Sequence, residues 1–207
     1  MHPNPAFRNE TQSRNIAFIR ERGFGSLIAN GPERPLIANI PALLTEDGKE
    51  LEFHLVRSNP ITSLLDTPQG IVFLVNGPDG YISPDWYEID DQVPTWNYVA
   101  AKIEGICHKL APNSLPPLLD RLSAHFEKRL LPKKPWTREK MSSDIFDSMA
   151  KTIIPYKVDV KKIDATWKLN QNKPDQVRIN AANQVKLHGV GLSTNVLSDH
   201  MKKNKMN

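Results

Sequence analysis

The sequence predicts a mainly β protein with inserted helices, in which about six strands form an antiparallel barrel. Three observations predict it. Short apolar or alternating runs follow one another along most of the chain, separated by turn signals. Asp47-Gly48 lies between two of these runs and is a strong hairpin signal. Residues at helical spacing are confined to a few segments, so the helices are interpreted as decoration of a sheet.

The elements follow in chain order. Residues 11–22 are predicted to form a helix with Ile16 and Ile19 on one face, ended by Gly23. Residues 59–66 indicate a short helix, and leucines at helical spacing behind Ser114 indicate a longer one. A further helix is predicted from Ile145, Met149 and Ile153, and one or two more follow Pro174. Strands are predicted at 24–30, 35–44, 51–56, 71–75, 98–107 and 156–163.

Length and composition bound the protein class. The 207 residues favour a single domain, here expected to span 1–200, followed by a polar basic tail at 201–207. No apolar run reaches the ~20 residues that crossing a bilayer requires, so we expect no membrane partner. The chain has one cysteine, Cys107, which excludes an internal disulfide. The first five residues lack the pattern of a secretory signal, and we expect a cytoplasmic protein.

Charge and motifs exclude several function classes. The net charge of +4 is mild, and its excess lies largely at 128–140 and at the C-terminus. Such a patch can attract nucleic acid, although a solvated loop and tail explain it more simply. The sequence has no phosphate-binding loop, no complete dinucleotide fingerprint and no nucleophile elbow. Its six histidines lack metal-ligand spacing, so no metal site is predicted.

A strand that leads into a helix start is the first candidate site. Arg57, Ser58 and Asn59 precede Pro60, a residue suited to the first helical position. Free amides of a first helical turn attract an anion, and the arginine fork suits a phosphate. An ordinary capped helix with a surface arginine would have the same sequence, and local features alone favour that alternative.

An aromatic segment is the second candidate. Five of the eight Trp and Tyr residues lie within 18 positions, at Tyr81, Trp86, Tyr87, Trp96 and Tyr98. They could form a flat wall for a planar ligand, or they could pin the loop to the core. The third candidate, Lys168 with Gln171 and Asn172, offers a cation and two amides, but a polar turn is the simpler interpretation.

These segments together resemble the PaiB-like family of FMN-binding negative transcriptional regulators. The resemblance is strongest in Tyr-Ile-Ser-Pro at 81–84, Trp-Tyr at 86–87 and Val-Pro-Thr-Trp-Asn-Tyr at 93–98. It extends from about residue 1 to about residue 175 through Pro3, Phe7, the segment 54–60 and the segment 167–172. It implies an FMN-binding split β-barrel related to pyridoxamine-phosphate oxidases, in which a homodimer holds each flavin in a groove built by both subunits.

The resemblance also implies which residues contact the cofactor. Arg57 and Ser58 are expected near the phosphate, and the late polar cluster is expected to close the site. The full expected set for FMN is Asn39, His54, Arg57, Ser58, Asn59, Tyr81, Ser83, Thr95, Trp96, Asn97, Lys168, Gln171 and Asn172. Three positions depart from the family pattern: Asn39 replaces a frequent histidine, Asn170 a serine, and Phe53 a glycine. We expect the Phe53 ring to narrow the cofactor groove.

The implied function is that of a regulator or redox sensor, whose flavin biases an interaction with DNA or with a protein partner. No helix-turn-helix is recognisable in the sequence. A flavin-dependent oxidoreductase acting on a small substrate is the first alternative, because the cofactor itself carries such chemistry. A haem-binding split-barrel protein is the second. Cys107 lies in an apolar strand and is interpreted as a core residue, not as a nucleophile.

Overall fold

The structure, a computed structural model that describes residues 1–203, contains six strands that close into a barrel in the order β1-β2-β3-β6-β5-β4. The mainly β fold with inserted helices is thereby confirmed. The neighbouring pairs β1–β2, β2–β3, β1–β4 and β3–β6 are all antiparallel. The strands are β1 (Phe24–Asn30), β2 (Pro35–Leu44), β3 (Glu50–Val56), β4 (Gln69–Ile82), β5 (Thr95–Lys109) and β6 (Ile153–Lys168).

Six helices accompany the strands within the described residues. Short 3-10 turns occur between them, at Pro5–Phe7, Pro84–Tyr87, Pro112–Ser114, Lys128–Leu130 and Arg138–Lys140. The predicted tail is helical as far as Lys203, with Met201 buried, and its last four residues lie outside the described range. The helices are α1 (Gln12–Arg22), α2 (Ile61–Leu64), α3 (Leu115–Glu127), α4 (Ser143–Ala150), α5 (Asp175–His188) and α6 (Thr194–Lys203).

The chain groups into two compact units, which are described separately. The barrel unit consists of Ile16–Leu74 and Ile103–Ile163, and it contains part or all of every strand. The terminal unit consists of Met1–Asn15, Val75–Lys102 and Asp164–Asn207. It combines the remaining lengths of β4, β5 and β6 with both ends of the chain.

The interior of the barrel unit follows from the alternation of buried and partly exposed residues along β3 and from its pairing with β6. On β3, Leu51, Phe53 and Leu55 are buried while the residues between them are partly exposed. Their partners on β6 are Val158, Tyr156 and Ile154, which are also buried. Phe53 and Tyr156 stack with ring centroids 5.5 Å apart. Because side chains alternate across a sheet, this register places one face of each strand in a continuous apolar core.

Tertiary pairing corrects three of the predicted elements. The fourth strand was predicted at 71–75, but β4 continues through Asn76, Pro78 and Gly80 to Ile82, although these are turn residues. The helix predicted at 59–66 has only four residues. Ile153 was assigned to the helix of Ile145 and Met149, but it begins β6 and pairs with Val56. Pairing with a neighbouring strand overrides local propensity in such cases.

The two C-terminal helices belong to the core of the terminal unit. Ala181, Val185, Leu197 and Met201 are fully buried. The segment between α5 and α6 hydrogen-bonds to β4, where Asp79 N and Tyr81 N donate to carbonyls of residues 192 and 190. A Cβ at Gly80 would lie 2.9 Å from side-chain atoms of Leu197 and Val185, so a larger residue here would require these side chains to shift. Within residues 1–203, no helix has both the length and the apolar character needed to span a bilayer.

Candidate functional site

The end of β3 presents an arginine whose guanidinium is only partly engaged. Arg57 is exposed, and its Nε donates to the carbonyl of Lys151 at 2.6 Å. Its backbone N–H donates to Thr152 O at 2.8 Å, which fixes the start of the side chain against the entry of β6. The terminal nitrogens have no partner among the described residues. This geometry leaves a charged fork available for an anion.

The helix that follows contributes less than the sequence indicated. The expected anion site used the amides of a first helical turn, but α2 is four residues long and its dipole is correspondingly small. Asn59 Oδ1 accepts from Ile61 N at 3.0 Å, so one of those amides is already satisfied. Asn59 therefore caps the turn, and Ser58 is exposed beside it. In this segment the case for phosphate binding rests on Arg57.

Two further expected contacts lie on β2 and β3 in the same unit. Asn39 is exposed, and its Oδ1 accepts a hydrogen bond from Ser26 Oγ at 2.7 Å. His54 is half-buried opposite Pro155 of β6, and its buried Nδ1 has no hydrogen-bond partner within residues 1–203. Burial lowers the pKa of His54 below its ordinary value of 6.5, because the charged form loses its hydration. The imidazole is therefore neutral at pH 7.

The His54 shift predicts a pH dependence of stability. The folded pKa lies below the unfolded value, so the free energy of unfolding is highest above pH 6.5 and falls as the pH decreases through the folded pKa. His54→Gln should flatten this fall, by less than about 1.4 kcal/mol per pH unit, the limit for one proton. Urea unfolding of both proteins at about pH 8 and about pH 5.5 measures the difference. His125, whose pKa burial also lowers, contributes a slope in the same direction. Parallel pH profiles for the two proteins would contradict the assignment.

The predicted aromatic wall is a real cluster in the terminal unit. Tyr81 contacts Trp86 and Trp96 edge to face, with ring centroids 6.4 Å and 6.2 Å apart. Trp86 stacks on His188 at 5.4 Å and an interplanar angle of 11°. Trp96 is 48% exposed and leaves part of its indole surface available for contact. An exposed indole at the edge of a rigid aromatic cluster can stack on a planar ring.

The two polar residues expected beside this cluster, Ser83 and Asn97, differ in solvent exposure. Ser83 is half-buried at the start of the Pro84–Tyr87 turn, and its hydroxyl does not cap that turn. Asn97 is fully buried, and its Nδ2 donates to Met201 Sδ at 3.5 Å. Its Oδ1 has no hydrogen-bond partner among the residues that the structure describes. The side chain of Asn97 is thus covered by α6, whereas the neighbouring Trp96 is exposed.

Lys168 and Thr95 are brought together by the pairing of β6 with β5. The ammonium of Lys168 donates to Thr95 Oγ1 and lies 5.9 Å from the centre of the Phe7 ring. Desolvation lowers the pKa of Lys168, since burial disfavours its charged form. Within the described part of the chain the ammonium has no carboxylate partner. Such a cation can accept an anion at little additional desolvation cost.

Gln171 and Asn172 have different surroundings. The Gln171 amide donates to the carbonyls of Ala6 and Trp167 and accepts from Leu169 N. Its hydrogen-bonding capacity is therefore used to hold the turn and the N-terminal segment. Asn172 is exposed, so its amide is accessible.

Two residues that the sequence did not single out, Lys173 and His188, lie in the same region as the predicted Tyr87. Lys173 donates to Gln92 Oε1 and lies 4.6 Å from the centre of the Tyr87 ring. Tyr87 is buried and its hydroxyl donates to Asn170 Oδ1 at 3.4 Å. His188 covers one face of Trp86. Lys173 directly follows the predicted polar cluster of Lys168, Gln171 and Asn172, so its position in the sequence could have indicated it. No local sequence pattern connects His188 with Trp86.

Phe53 does not narrow a groove, contrary to the expectation. Its side chain points into the barrel and is 0% exposed, because β3 buries every second residue. The ring stacks on Tyr156, whose hydroxyl is buried and has no hydrogen-bond partner in the described part of the chain. Burial raises the pKa of Tyr156 to about 12. Phe53 is therefore a core residue.

Cys107 is buried in β5, and burial raises the pKa of its thiol to about 12. Because the thiolate is the reactive form, the native protein should resist iodoacetamide at neutral pH. In urea the same reagent should add one equivalent, which the whole-protein mass reports directly, since the chain has a single cysteine. Modification of the native protein as fast as of the unfolded chain would contradict this placement.

Comparison with known proteins relates the chain to flavoproteins. A family model described as "Putative FMN-binding domain" matches residues 1–162. The "Protease synthase and sporulation protein PAI 2" of Bacillus subtilis is 27% identical over 170 residues, which are 81% of each chain.

Solved structures show the same fold at low identity. The FAD and heme binding protein of Mycobacterium smegmatis superimposes with a TM-score of 0.58 at 13% identity, over 90% of this chain and 82% of that one. The flavocytochrome Anf3 of Azotobacter vinelandii gives a TM-score of 0.54 at 11% identity, over 81% and 72% of the two chains. These likenesses establish the split-barrel fold.

Proposed function

The chain belongs to the family of FMN-binding domains, so FMN is its cofactor, and we propose that it is a homodimeric flavin-dependent regulator or redox sensor of the PaiB type. The observation that carries this proposal is the half-exposed Trp96 at the edge of an aromatic cluster, in the same unit as the unpaired cation Lys168. Trp96 and Lys168 would each contact a different chemical part of FMN.

The residues present fit FMN in kind. Arg57 offers terminal nitrogens that have no partner within residues 1–203, which suits a phosphate. Trp96 offers an indole surface, which suits a flat ring. Lys168 and Asn172 offer donors, which suit the oxygens of a ring edge. The set therefore contains one group for each part of the cofactor.

The roles are proposed accordingly. Arg57 and Ser58 would hold the phosphate, and Tyr81, Ser83, Thr95 and Trp96 would hold the ring or the ribityl chain. Lys168 and Asn172 would close the site. Asn97 and Gln171 would hold the neighbouring segments in position, since their side chains are hydrogen-bonded within the protein. Bound FMN would supply the electron-transfer chemistry, and the chain would bind it, orient it and exclude water.

The homodimer and the cofactor are tested together. The visible spectrum of the freshly purified protein should show bound FMN, and light scattering should give twice the mass of the 207-residue chain. A colourless, strictly monomeric protein that does not take up added FMN would overturn the proposal. We propose the cytoplasm as its location, on the basis of the single unpaired cysteine.

The regulatory role draws on the curated relative, whose name assigns it to protease synthesis and sporulation in Bacillus subtilis. The mild positive charge is compatible with an acidic partner, either DNA or protein. A gel-shift titration on upstream DNA at several salt concentrations tests the DNA version. Binding no tighter than to random duplex would leave a protein partner as the regulatory target.

A flavin-dependent oxidoreductase is the second candidate, and the exposed side of Trp96 favours it. An aromatic surface open to solvent beside a flavin could receive a small substrate. Anaerobic mixing of the FMN-loaded protein with NADH or NADPH should then bleach the flavin spectrum. An unchanged spectrum with both donors counts against this candidate. A Soret band after reconstitution with haem, without flavin absorption, would instead favour a haem protein.

A further inference from the structure

The helix α4 belongs to the barrel unit, but none of its eight residues is buried. Every other helix within residues 1–203 has at least one buried side chain. Ile145 and Met149 of α4 are 57% and 59% exposed, although both are large and apolar. Because residues four positions apart lie on the same face of a helix, these two side chains form an apolar stripe on the surface.

Contacts on another face and at the C-terminal end hold α4 in this position. The guanidinium of Arg138 lies 5.0 Å from the centre of the Phe146 ring, and Phe146 is half-buried. The carbonyl of Lys151, the residue that follows α4, accepts a hydrogen bond from Arg57 Nε at 2.6 Å. The helix is therefore attached by its flank and its end, and the apolar stripe faces solvent.

Two charged residues of opposite sign flank the apolar stripe. Asp144 lies in the first turn of α4, and Lys151 follows the last turn with helical backbone angles. Both residues are exposed. Their separation of seven positions is close to two helical turns, so both side chains lie along the same edge of the stripe. This edge is therefore negative at its first end and positive at its last end.

Such an edge is complementary to a second copy of itself. When two α4 helices pack antiparallel about a two-fold axis, Asp144 of one copy meets Lys151 of the other, and symmetry repeats the pair. The small side chain of Ser148 lies between the two charges on this edge and permits close approach. Antiparallel packing also places the N-terminus of each helix dipole beside the C-terminus of the other, which is the favourable arrangement.

A nucleic acid fits α4 less well than a second copy does. Asp144 and Asp147 are both exposed on the helix, so phosphates would meet carboxylates beside the apolar stripe. The basic excess of the chain lies before α4, at 128–140. A partner for α4 has to present an apolar stripe together with charges of both signs, and α4 itself has this combination.

One helix supplies only part of a stable interface. Eight residues extend for about 12 Å, whereas a specific complex covers about 800 Å² of each partner. The segment before α4 has three more exposed apolar residues, and its Arg138 contacts Phe146 of α4. These residues, which would supply further area, are Leu130, Leu131 and Trp136.

We propose that α4 lies at the contact between the two copies of the homodimer, where its apolar stripe and its Asp144–Lys151 edge pack antiparallel against α4 of the partner. The inference rests on the proposed function, because it names the surface through which the proposed homodimer forms. Since Arg57 is hydrogen-bonded to the residue that follows α4, the contact would lie close to the proposed phosphate ligand.

The apolar stripe is tested by introducing a charge into it. Ile145→Asp and Met149→Asp should each raise the dimer dissociation constant by at least about a hundredfold, because each substitution buries two unpaired carboxylates in one dimer. Sedimentation equilibrium of the full chain at several concentrations measures the constant. Leu187→Asp is the matched control, since Leu187 is an exposed apolar residue of another helix, α5. It should leave the constant unchanged, and the thermal midpoint of each variant should confirm that it is folded.

Charge reversal tests the antiparallel arrangement. Asp144→Lys and Lys151→Glu each place like charges opposite one another twice in a homodimer, so each should raise the dissociation constant by at least about tenfold. In an equimolar mixture of the two variants, a heterodimer has opposite charges at both pairs. The mixture should therefore dimerise about as tightly as the unchanged chain. A mixture that associates no better than either variant alone would contradict the pairing of Asp144 with Lys151.

The outcomes separate this inference from the proposed function. If the unchanged chain is dimeric and both Ile145→Asp and Met149→Asp dimerise equally well, the inference is overturned, the homodimer stands, and α4 is left to a partner of another kind. If the unchanged chain is monomeric at every concentration, the homodimer of the proposed function fails as well. The flavin spectrum of the same samples tests the cofactor independently of both.

Discussion

Arg57→Ala should weaken FMN binding by about tenfold to a hundredfold while changing riboflavin binding by about twofold at most. The two ligands differ only in the phosphate, so the ratio of their affinities isolates the contribution of the guanidinium. Arg57 suits this role because, among the described residues, its guanidinium is engaged only through Nε, on the carbonyl of Lys151. Fluorescence titration of the free flavins with the apoprotein measures both dissociation constants.

The control for this substitution is Arg34→Ala. Arg34 is an exposed arginine of the same unit, in the turn between β1 and β2, and its side chain has no partner among the described residues. Its loss lowers the net charge by the same amount and should leave both affinities unchanged. Since Arg57 also anchors the residues after α4, the thermal midpoint of each variant should be recorded. Equal weakening of FMN and riboflavin would show that Arg57 is not the phosphate ligand.

Phe53→Gly should lower the free energy of unfolding by about 4 kcal/mol or more, although glycine is the residue that the family pattern favours at this position. The ring is completely buried and stacks on Tyr156, so its removal leaves a cavity inside the barrel. Glycine also loses more backbone conformational entropy on folding than phenylalanine does, which lowers the free energy of unfolding further. Urea unfolding followed by fluorescence measures the loss.

Phe24→Gly provides the comparison. Phe24 is also a strand residue of the barrel unit, but it is 42% exposed, and its ring contacts Arg22. Its replacement should cost about 1–2 kcal/mol. At a temperature where Phe53→Gly remains folded, its FMN affinity should equal that of the unchanged chain, because the ring faces the core. An increase in FMN affinity would revive the expectation that this ring narrows the cofactor groove.

The local sequence was sufficient to predict those elements whose bounds depend on neighbouring residues. The bounds of β1 and β2 were predicted to the residue, because each run ends in a turn that its own sequence specifies. The leucines behind Ser114 gave α3, since helical spacing is a local property. Arg57, Trp96 and Lys168 are site predictions that rest on the family resemblance, since local features alone favoured a capped helix at Arg57 and a polar turn at Lys168. The extension of β4 to Ile82 was missed, because its turn residues are held in the sheet by partners distant in sequence.

By itself the sequence determined the fold class, the order of the elements and the family, because alternation, helical spacing and motif order are properties of neighbouring residues. Only the tertiary structure decided which polar side chains are engaged within the protein and which are accessible. Asn97 is covered by Met201, and Gln171 is used by the backbone around it, while Lys173 donates to Gln92. Burial and hydrogen-bond pairing depend on segments far apart in the chain, so no local pattern encodes them.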